Sequence, residues 1–211
     1  MNRDWSLNSI KTYDFFEYFD KLNTTWHNEF DAEPKNRDSF ENIFFNLHFF
    51  NFSLWHEEDE ARRKDVSDAM IARVKRNIDK FNQQRNDSIE QLDKYIVTQL
   101  KQQNLYKEGL PLNSETPGSI IDRLSIISLK VYHMAEQTRR TDATQAHLQA
   151  CQDKLNTLII QKNDLSTCLS ELIADYAEGR KTMRVYFQFK MYNDPNLNPA
   201  LYGNNQATQQ D

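Results

Sequence analysis

The chain has 211 residues, enough to bury one sizeable hydrophobic core, and nothing in its composition requires two domains. Only four glycines and five prolines accompany 27% charged residues, which predicts a helix-rich, soluble protein. The formal charge of −5 excludes a general attraction to nucleic acid, and the N-terminus lacks the uninterrupted apolar stretch of a signal peptide. We therefore expect a cytoplasmic protein that binds no nucleic acid and has no membrane span.

The first predicted helix runs from about residue 9 to 30, because aromatic and aliphatic residues recur there at helical spacing. The second runs from about 38 to 63. Between Ile43 and Trp55 it is apolar on nearly every side, which indicates a position at the centre of a bundle.

The third predicted helix, from about 66 to 102, carries a cation within its apolar stripe. The stripe consists of Ile71, Val74, Ile78, Phe81, Arg85, Ile89, Leu92 and Ile96. A guanidinium in this position needs a partner, because burying an unpaired charge is costly. Arg85 therefore indicates a buried polar site.

The fourth predicted helix begins at Thr116 as the cap and Pro117 as the first helical residue, and it continues to about 140. The fifth begins near Asp142 and carries a leucine-rich seam over roughly four heptads, which predicts the longest helix. Gly179 is expected to end it. Residues 180–194 fit either a further helix or a short extended segment.

Together these elements predict an all-α fold: an antiparallel bundle of about five helices with one long C-terminal helix. Residues 1–193 would form a single domain, and residues 194–211 a mobile tail with little to bury. If the long helix extends past its partners, its apolar surface would be available for a homodimer.

Cys151 and Cys168 lie 17 residues apart in one helical pattern, which would separate them by about 25 Å in a straight helix. They should not form a disulfide with each other. Neither belongs to a CxxC motif or a Cys/His cluster, which argues against a zinc site built on cysteine.

The end of the second helix combines one aromatic residue with several charges. Trp55, Asp59 and Arg62 share a stripe with Glu58 at its margin, whereas His56 lies to the side. These residues could line a polar pocket. The alternative is a solvated helix end held by pairs one turn apart, Glu58 with Arg62 and Asp59 with Arg63.

Arg85 allows the same choice between function and structure. It could bind a ligand, or Asp59 or Glu58 could hold it in a buried ion pair that fixes the register of the bundle.

The fourth helix adds two cations, Arg123 and Lys130, beside its apolar arc, with His133 farther round. With Arg85 they could form a cleft for a phosphate or carboxylate, and the helix start at Gly118 offers N–H groups to an anion. Alternatively, their long stems cover the core while their charges reach water.

The spacing of the histidines does not predict a metal site. No Glu-x-x-His motif occurs, which disfavours a ferritin-like di-iron centre. His56 with Asp59 and His133 with Glu136 each lie one turn apart, but such pairs are common by chance. We therefore assign no metal ligand and leave the cofactor unknown.

Glu57-x-x-Glu60 followed by Glu90-x-x-Asp93 resembles the paired acidic motifs with which all-α nucleoside triphosphate pyrophosphohydrolases hold magnesium. However, Glu57 and Glu60 point away from the stripe that contains Trp55, so the four acids need not converge. Nucleophile elbows, Walker loops and GxGxxG turns are absent from the sequence.

Three segments, NFSLWHEEDEARR (51–63), KRNIDKFNQQRNDSIEQLD (75–93) and ETPGSIIDRLSIISLKVYHM (115–134), resemble a bacterial family of domains of unknown function found largely in Bacteroidota. The resemblance covers most of the chain and brings no established activity. It implies an association with envelope glycosyltransferases, and so a ligand such as a sugar phosphate or nucleotide sugar.

Our first hypothesis is a cleft that binds an anionic small molecule. Glu58, Asp59 and His56 would orient the cations that bind it or act as acid and base, and Trp55 would stack on the ligand. The binding residues would be Arg62, Arg85, Asp122, Arg123, Lys130 and His133. The alternatives are a helical adaptor whose buried ion pairs are structural, and the magnesium-dependent pyrophosphohydrolase. Whether the protein is an enzyme stays open.

Overall fold

The computed structural model describes residues 5–202, except for the side chain of residue 193, and every regular element in that range is a helix. The predicted all-α fold is therefore confirmed. The α-helices are α1 (Leu7–Lys11), α2 (Phe15–Asn28), α3 (Phe40–Glu60), α4 (Asp68–Gln102), α5 (Pro117–Thr138), α6 (Gln145–Ala177) and α7 (Pro199–Tyr202). A 3₁₀-helix spans Met191–Asn193.

The five long helices, α2 to α6, correspond to the five predicted ones, but the first begins later than expected. A break at Thr12 separates α1 from α2, and the side chain of Asp14 caps α2 by accepting a hydrogen bond from the Glu17 amide at 2.9 Å. An N-cap aspartate starts a new helix because it satisfies an amide that has no partner within the helix. The aromatic periodicity is continuous across this break, so periodicity alone does not predict the break.

Helix α4, with 35 residues, is slightly longer than α6, with 33, so the expectation that the fifth predicted helix is the longest is wrong. Helix α6 ends near the predicted place. Gly179 there has a φ of +69°, a left-handed conformation that glycine adopts without strain.

Helix α3 packs against both α4 and α5, while α5 also packs against α2, α4 and α6. Side chains around most of α3 are buried, including Phe44, Leu47 and Phe50. This position agrees with the apolar character that the sequence shows on nearly every side of the helix.

The chain after α6 returns to the bundle. The Thr182 amide donates to the Pro111 carbonyl at 3.0 Å, and Met183 is buried. Residues 183–190 form no regular element, and aromatic side chains such as Tyr186 and Phe189 are exposed. Of the predicted mobile tail, residues 203–211 lie outside the described residues.

Cys151 is buried and Cys168 is exposed, and both are free thiols. None of the helices within residues 5–202 has the length and apolar character needed to cross a membrane.

Candidate functional site

A chain of buried polar side chains joins α3 to α5 at the centre of the bundle. Asn51 donates through Nδ2 to Oδ1 of Asp122 at 2.8 Å and to Oγ of Ser125 at 2.9 Å. His48 Nδ1 lies 2.9 Å from the same Ser125 Oγ. All four side chains are buried, so these hydrogen bonds fix the two helices against each other.

Arg85 reaches this network from α4. Its Nε lies 3.6 Å from Oδ1 of Asp122, and this is the ion pair that the structure gives it. Glu58 and Asp59, the partners expected from the sequence, do not hold it. Burial raises the pKa of Asp122, whereas Arg85 and the hydrogen bond from Asn51 oppose that rise.

Arg85 is only partly satisfied by this contact. Its Nε is buried and has no hydrogen-bond partner among residues 5–202, while 28% of its side chain remains exposed. A guanidinium carries five N–H donors, so Arg85 keeps hydrogen-bonding capacity beyond the Asp122 contact.

The exposed part of Arg85 lines a surface groove of about 390 Å³ between α3, α4 and α5, which we call the Arg85 groove. Its lining consists of Asn51, Leu54, Trp55, Glu58, Asp59, Arg62, Asn82, Arg85, Ile126 and Leu129. The structure thus brings five of the predicted site residues together: Trp55, Glu58, Asp59, Arg62 and Arg85.

At the rim of this groove, two charged side chains at the end of α3 pair with each other. Arg62 Nη1 lies 2.8 Å from Oε2 of Glu58, the pairing expected from the sequence. The second expected pair does not form, because Arg63 contacts Glu60 and Asp65 instead. Asp59 is exposed, so its carboxylate is accessible at the rim.

Arg123 and Lys130 do not line the Arg85 groove. They line a separate groove of about 480 Å³ between α5 and α6. Arg123 Nη1 contacts the carboxylate of Glu115 at 2.7 Å, and 52% and 41% of the two side chains are exposed. The structure therefore does not place the three predicted anion-binding cations in one cleft, because Arg85 lines the groove with α3 whereas Arg123 and Lys130 line the groove with α6.

The predicted helix start at Thr116 is present, but its free amides are already used. Thr116 Oγ1 accepts from the Ser119 amide at 3.2 Å, and the Gly118 amide donates to Oδ1 of the buried Asp93 at 2.8 Å. The side chain of Asp93 thus occupies the position at which the sequence predicts an anionic ligand.

The four acids of the pyrophosphohydrolase-like motif do not form a metal-ligating group within the described residues. Glu57 accepts a hydrogen bond from Asn77 Nδ2 at 2.8 Å, and Asp93 is engaged at the start of α5. Glu90 accepts from the Gln188 amide at 3.0 Å. Their geometry offers nothing to a magnesium-bound triphosphate.

Two predicted histidines instead meet a third that the sequence did not single out. His27 near the end of α2, His56 on α3 and His133 on α5 offer ligand atoms that all lie within 4.8 Å of one another. The ring of Trp55 stacks on His133 at 4.7 Å between centroids. Spacing could not reveal this group, because each histidine comes from a different helix.

The model of a protein family described as "Protein of unknown function (DUF4254)" matches residues 41–185. The chain belongs to this family. No curated protein and no solved structure matches the chain significantly.

Proposed function

We propose that the Arg85 groove binds a small molecule with an anionic group, such as a sugar phosphate or a nucleotide sugar. The observation that carries the proposal is Arg85 itself, a half-buried cation with one distant carboxylate partner and spare donors beside an open groove. A phosphate or carboxylate oxygen would complete its coordination.

The other lining residues support a polar, ring-containing ligand. Trp55 offers an aromatic surface, and Asn82 and Asp59 offer hydrogen-bonding groups of the kind that sugar hydroxyls need. Asp122 would act behind the groove by orienting Arg85. Arg123 and Lys130 are left out of this proposal because they line a different groove.

Catalysis is a further step within the same proposal. Glu58 and Asp59 are the carboxylates at the rim that could act as acid and base on a bound ligand. His56 lines another cavity, so we omit it from this role. The link to envelope glycan synthesis rests on the resemblance noted from the sequence and supports only the class of ligand.

Binding is best tested by isothermal titration calorimetry of the full chain with glucose 1-phosphate and with UDP-glucose. We expect at least one of them to bind, and Arg85→Gln to weaken that binding by about tenfold or more through loss of the charge-assisted contact. Arg123→Gln is the matched control, because it removes the same charge from an exposed residue outside the groove.

The adaptor hypothesis gives the opposite result. If the Arg85–Asp122 pair is purely structural, neither probe binds, and Arg85→Gln lowers the melting temperature without any effect on a ligand. Circular dichroism of each variant separates loss of binding from loss of the fold.

A homodimer is a separate part of this proposal. Ile159 and Ile160 on α6 are 40% and 61% exposed, which leaves apolar surface on the long helix. Size-exclusion chromatography with light scattering should show twice the mass of 25.1 kDa. A strict monomer across the accessible concentrations contradicts it.

A further inference from the structure

The three histidines form a group of nitrogen ligands at the meeting point of α2, α3 and α5. The ring centroid of His27 lies 5.2 Å from that of His56 and 4.8 Å from that of His133. The two outer rings, His56 and His133, are 6.1 Å apart. Each side chain is partly buried, so the group is neither fully exposed nor sealed from solvent.

The hydrogen bond of His27 determines which of its nitrogens is available. Nδ1 lies 2.7 Å from the Asn23 carbonyl oxygen, which can only accept, so Nδ1 carries the proton. Nε2 is buried and has no hydrogen-bond partner among the described residues. In the neutral ring the lone pair therefore lies on Nε2.

His133 shows the same pattern with a carboxylate. Its Nδ1 lies 2.9 Å from Oε2 of Glu136, one turn along α5, and its Nε2 is buried without a hydrogen-bond partner in residues 5–202. Metal-binding histidines commonly have such partners, because a hydrogen bond from the second nitrogen fixes the ring and raises its basicity. Trp55, stacked at an angle of 10° to His133, further restrains the ring.

His56 completes the group from α3. Its ring packs on Phe52 with centroids 4.5 Å apart. Without a ligand, this arrangement leaves two buried nitrogen acceptors unpaired, which costs free energy at each site. A single cation that accepts lone pairs would satisfy all three rings together.

We infer that His27, His56 and His133 bind one divalent transition-metal ion of the Zn²⁺ type through their ring nitrogens. Imidazole is a preferred ligand for such ions, and three histidines form a recurrent ligand set. Tetrahedral coordination at about 2.0–2.1 Å requires nitrogen atoms about 3.3 Å apart, so the rings must close in modestly from their present limit of 4.8 Å.

Three protein ligands leave a fourth position for water or for a donor atom of a small molecule. His27 and His56 also line a cavity of about 650 Å³ whose wall includes Phe81, Arg73 and Asn77. An ion held between these histidines would be accessible from that cavity. This arrangement differs from our sequence-based expectation of no metal ligand, which compared only residues on the same helix.

The test begins with the full chain stripped of metal by a chelator and titrated with Zn²⁺ in a calorimeter. We expect one ion per chain with a dissociation constant of about 1 μM or lower, and a melting temperature that rises with added Zn²⁺. His27→Gln, His56→Gln and His133→Gln should each weaken binding by about 100-fold or more. Glu136→Gln, which alters only a hydrogen-bond partner, should weaken it by about tenfold.

His147→Gln is the matched control. His147 is exposed on α6, and its Nε2 lies 3.4 Å from Sγ of Cys151, so it represents the alternative Zn²⁺ site on this chain. Binding must survive this substitution. Loss of binding in His147→Gln, or retention of full affinity in the three cluster variants, overturns the proposal.

The Co²⁺ complex of the wild-type protein provides a readout that needs no variant. Nitrogen coordination with low symmetry gives ligand-field bands in the visible spectrum, whereas a bound thiolate adds a charge-transfer band in the near ultraviolet. We expect the visible bands without the thiolate band. The thiolate band, or no stoichiometric binding of either ion, contradicts the proposal even if a cluster variant fails to fold.

Discussion

Nε of Arg85 on α4 lies 3.6 Å from Oδ1 of Asp122 on α5, and this ion pair connects the surface groove to the hydrogen-bond network in the core. Asp122 is 8% exposed and Arg85 is 28% exposed at the side chain. Asp122 therefore relies more on the pair than Arg85 does, because less of its side chain reaches water. Breaking this pair should lower the free energy of unfolding, whether or not Arg85 also binds a ligand.

A double-mutant cycle should resolve that cost. We expect Asp122→Ala to lower the free energy of unfolding by about 2 kcal/mol, less than for a fully buried pair because Arg85 can still reach solvent. The coupling energy between Arg85→Ala and Asp122→Ala should be about 1–2 kcal/mol. Urea denaturation measures both, and the exposed pair Arg123 and Glu115 is the control, with coupling below about 1 kcal/mol.

Asp93 should make the protein less stable as the pH rises. Burial raises its pKa to about 7, despite hydrogen bonds from Thr116 and Gly118 that oppose the shift. Because the folded state then holds a proton that the unfolded state has lost, the contribution of Asp93 to stability falls between about pH 4 and pH 7. The full difference is about 4 kcal/mol.

Asp93→Asn should remove this dependence, because an amide oxygen can still accept from the Gly118 amide and carries no charge. The free energy of unfolding of the variant, minus that of the wild type, should be larger at pH 8 than at pH 4. Urea titrations at the two pH values test this, with the exposed Asp79→Asn as the control. An equal difference at both pH values contradicts the assignment.

His48 should act in the opposite direction. It is fully buried between the rings of Phe19 and Trp26, and burial lowers its pKa to about 3. The folded state therefore binds fewer protons than the unfolded state between pH 6.5 and pH 3, so the stability it contributes is present above pH 6.5 and is lost as the pH falls.

His48→Gln should lower the free energy of unfolding at neutral pH, because the new side chain fills the site poorly. It should also make the loss of stability at acidic pH less steep, because the titrating group has been removed. The difference in unfolding free energy between wild type and variant should shrink by about 3 kcal/mol from pH 7 to pH 4. If the free energies of unfolding of the two proteins fall equally with decreasing pH, His48 is not the group responsible for the acid sensitivity.

Gly118→Ala should destabilise the protein through a steric conflict. An added Cβ would lie 2.6 Å from the Ile89 carbonyl oxygen and 2.8 Å from Oδ1 of Asp93. Because Ile89 O belongs to the backbone of α4, the helices must separate, at a cost of about 2–3 kcal/mol. Gly109→Ala is the control: it meets no atom within 4 Å, and its φ of +81° alone should cost about 1 kcal/mol. Equal losses in thermal unfolding would argue against the close packing of α4 and α5.

The sequence by itself determined the helices. Apolar residues recur three and four positions apart along each helix, and cap residues mark where several helices begin. Thr116 and Pro117 start α5 as predicted, and the stripe around Arg85 buries Val74, Ile78 and Leu92. These are local features, and their energies arise within a few turns of chain. The break at Thr12 was missed because a cap, not a change of period, produces it.

Only the tertiary structure decided which side chains meet across helices. Arg85 pairs with Asp122 and not with Asp59, and Arg123 faces a different groove, because the rotation of each helix about its axis is set by packing over its whole length. The same packing brings His27, His56 and His133 together from three helices. Periodicity identifies the face on which a charge lies, but its partner depends on how that face is packed against the others.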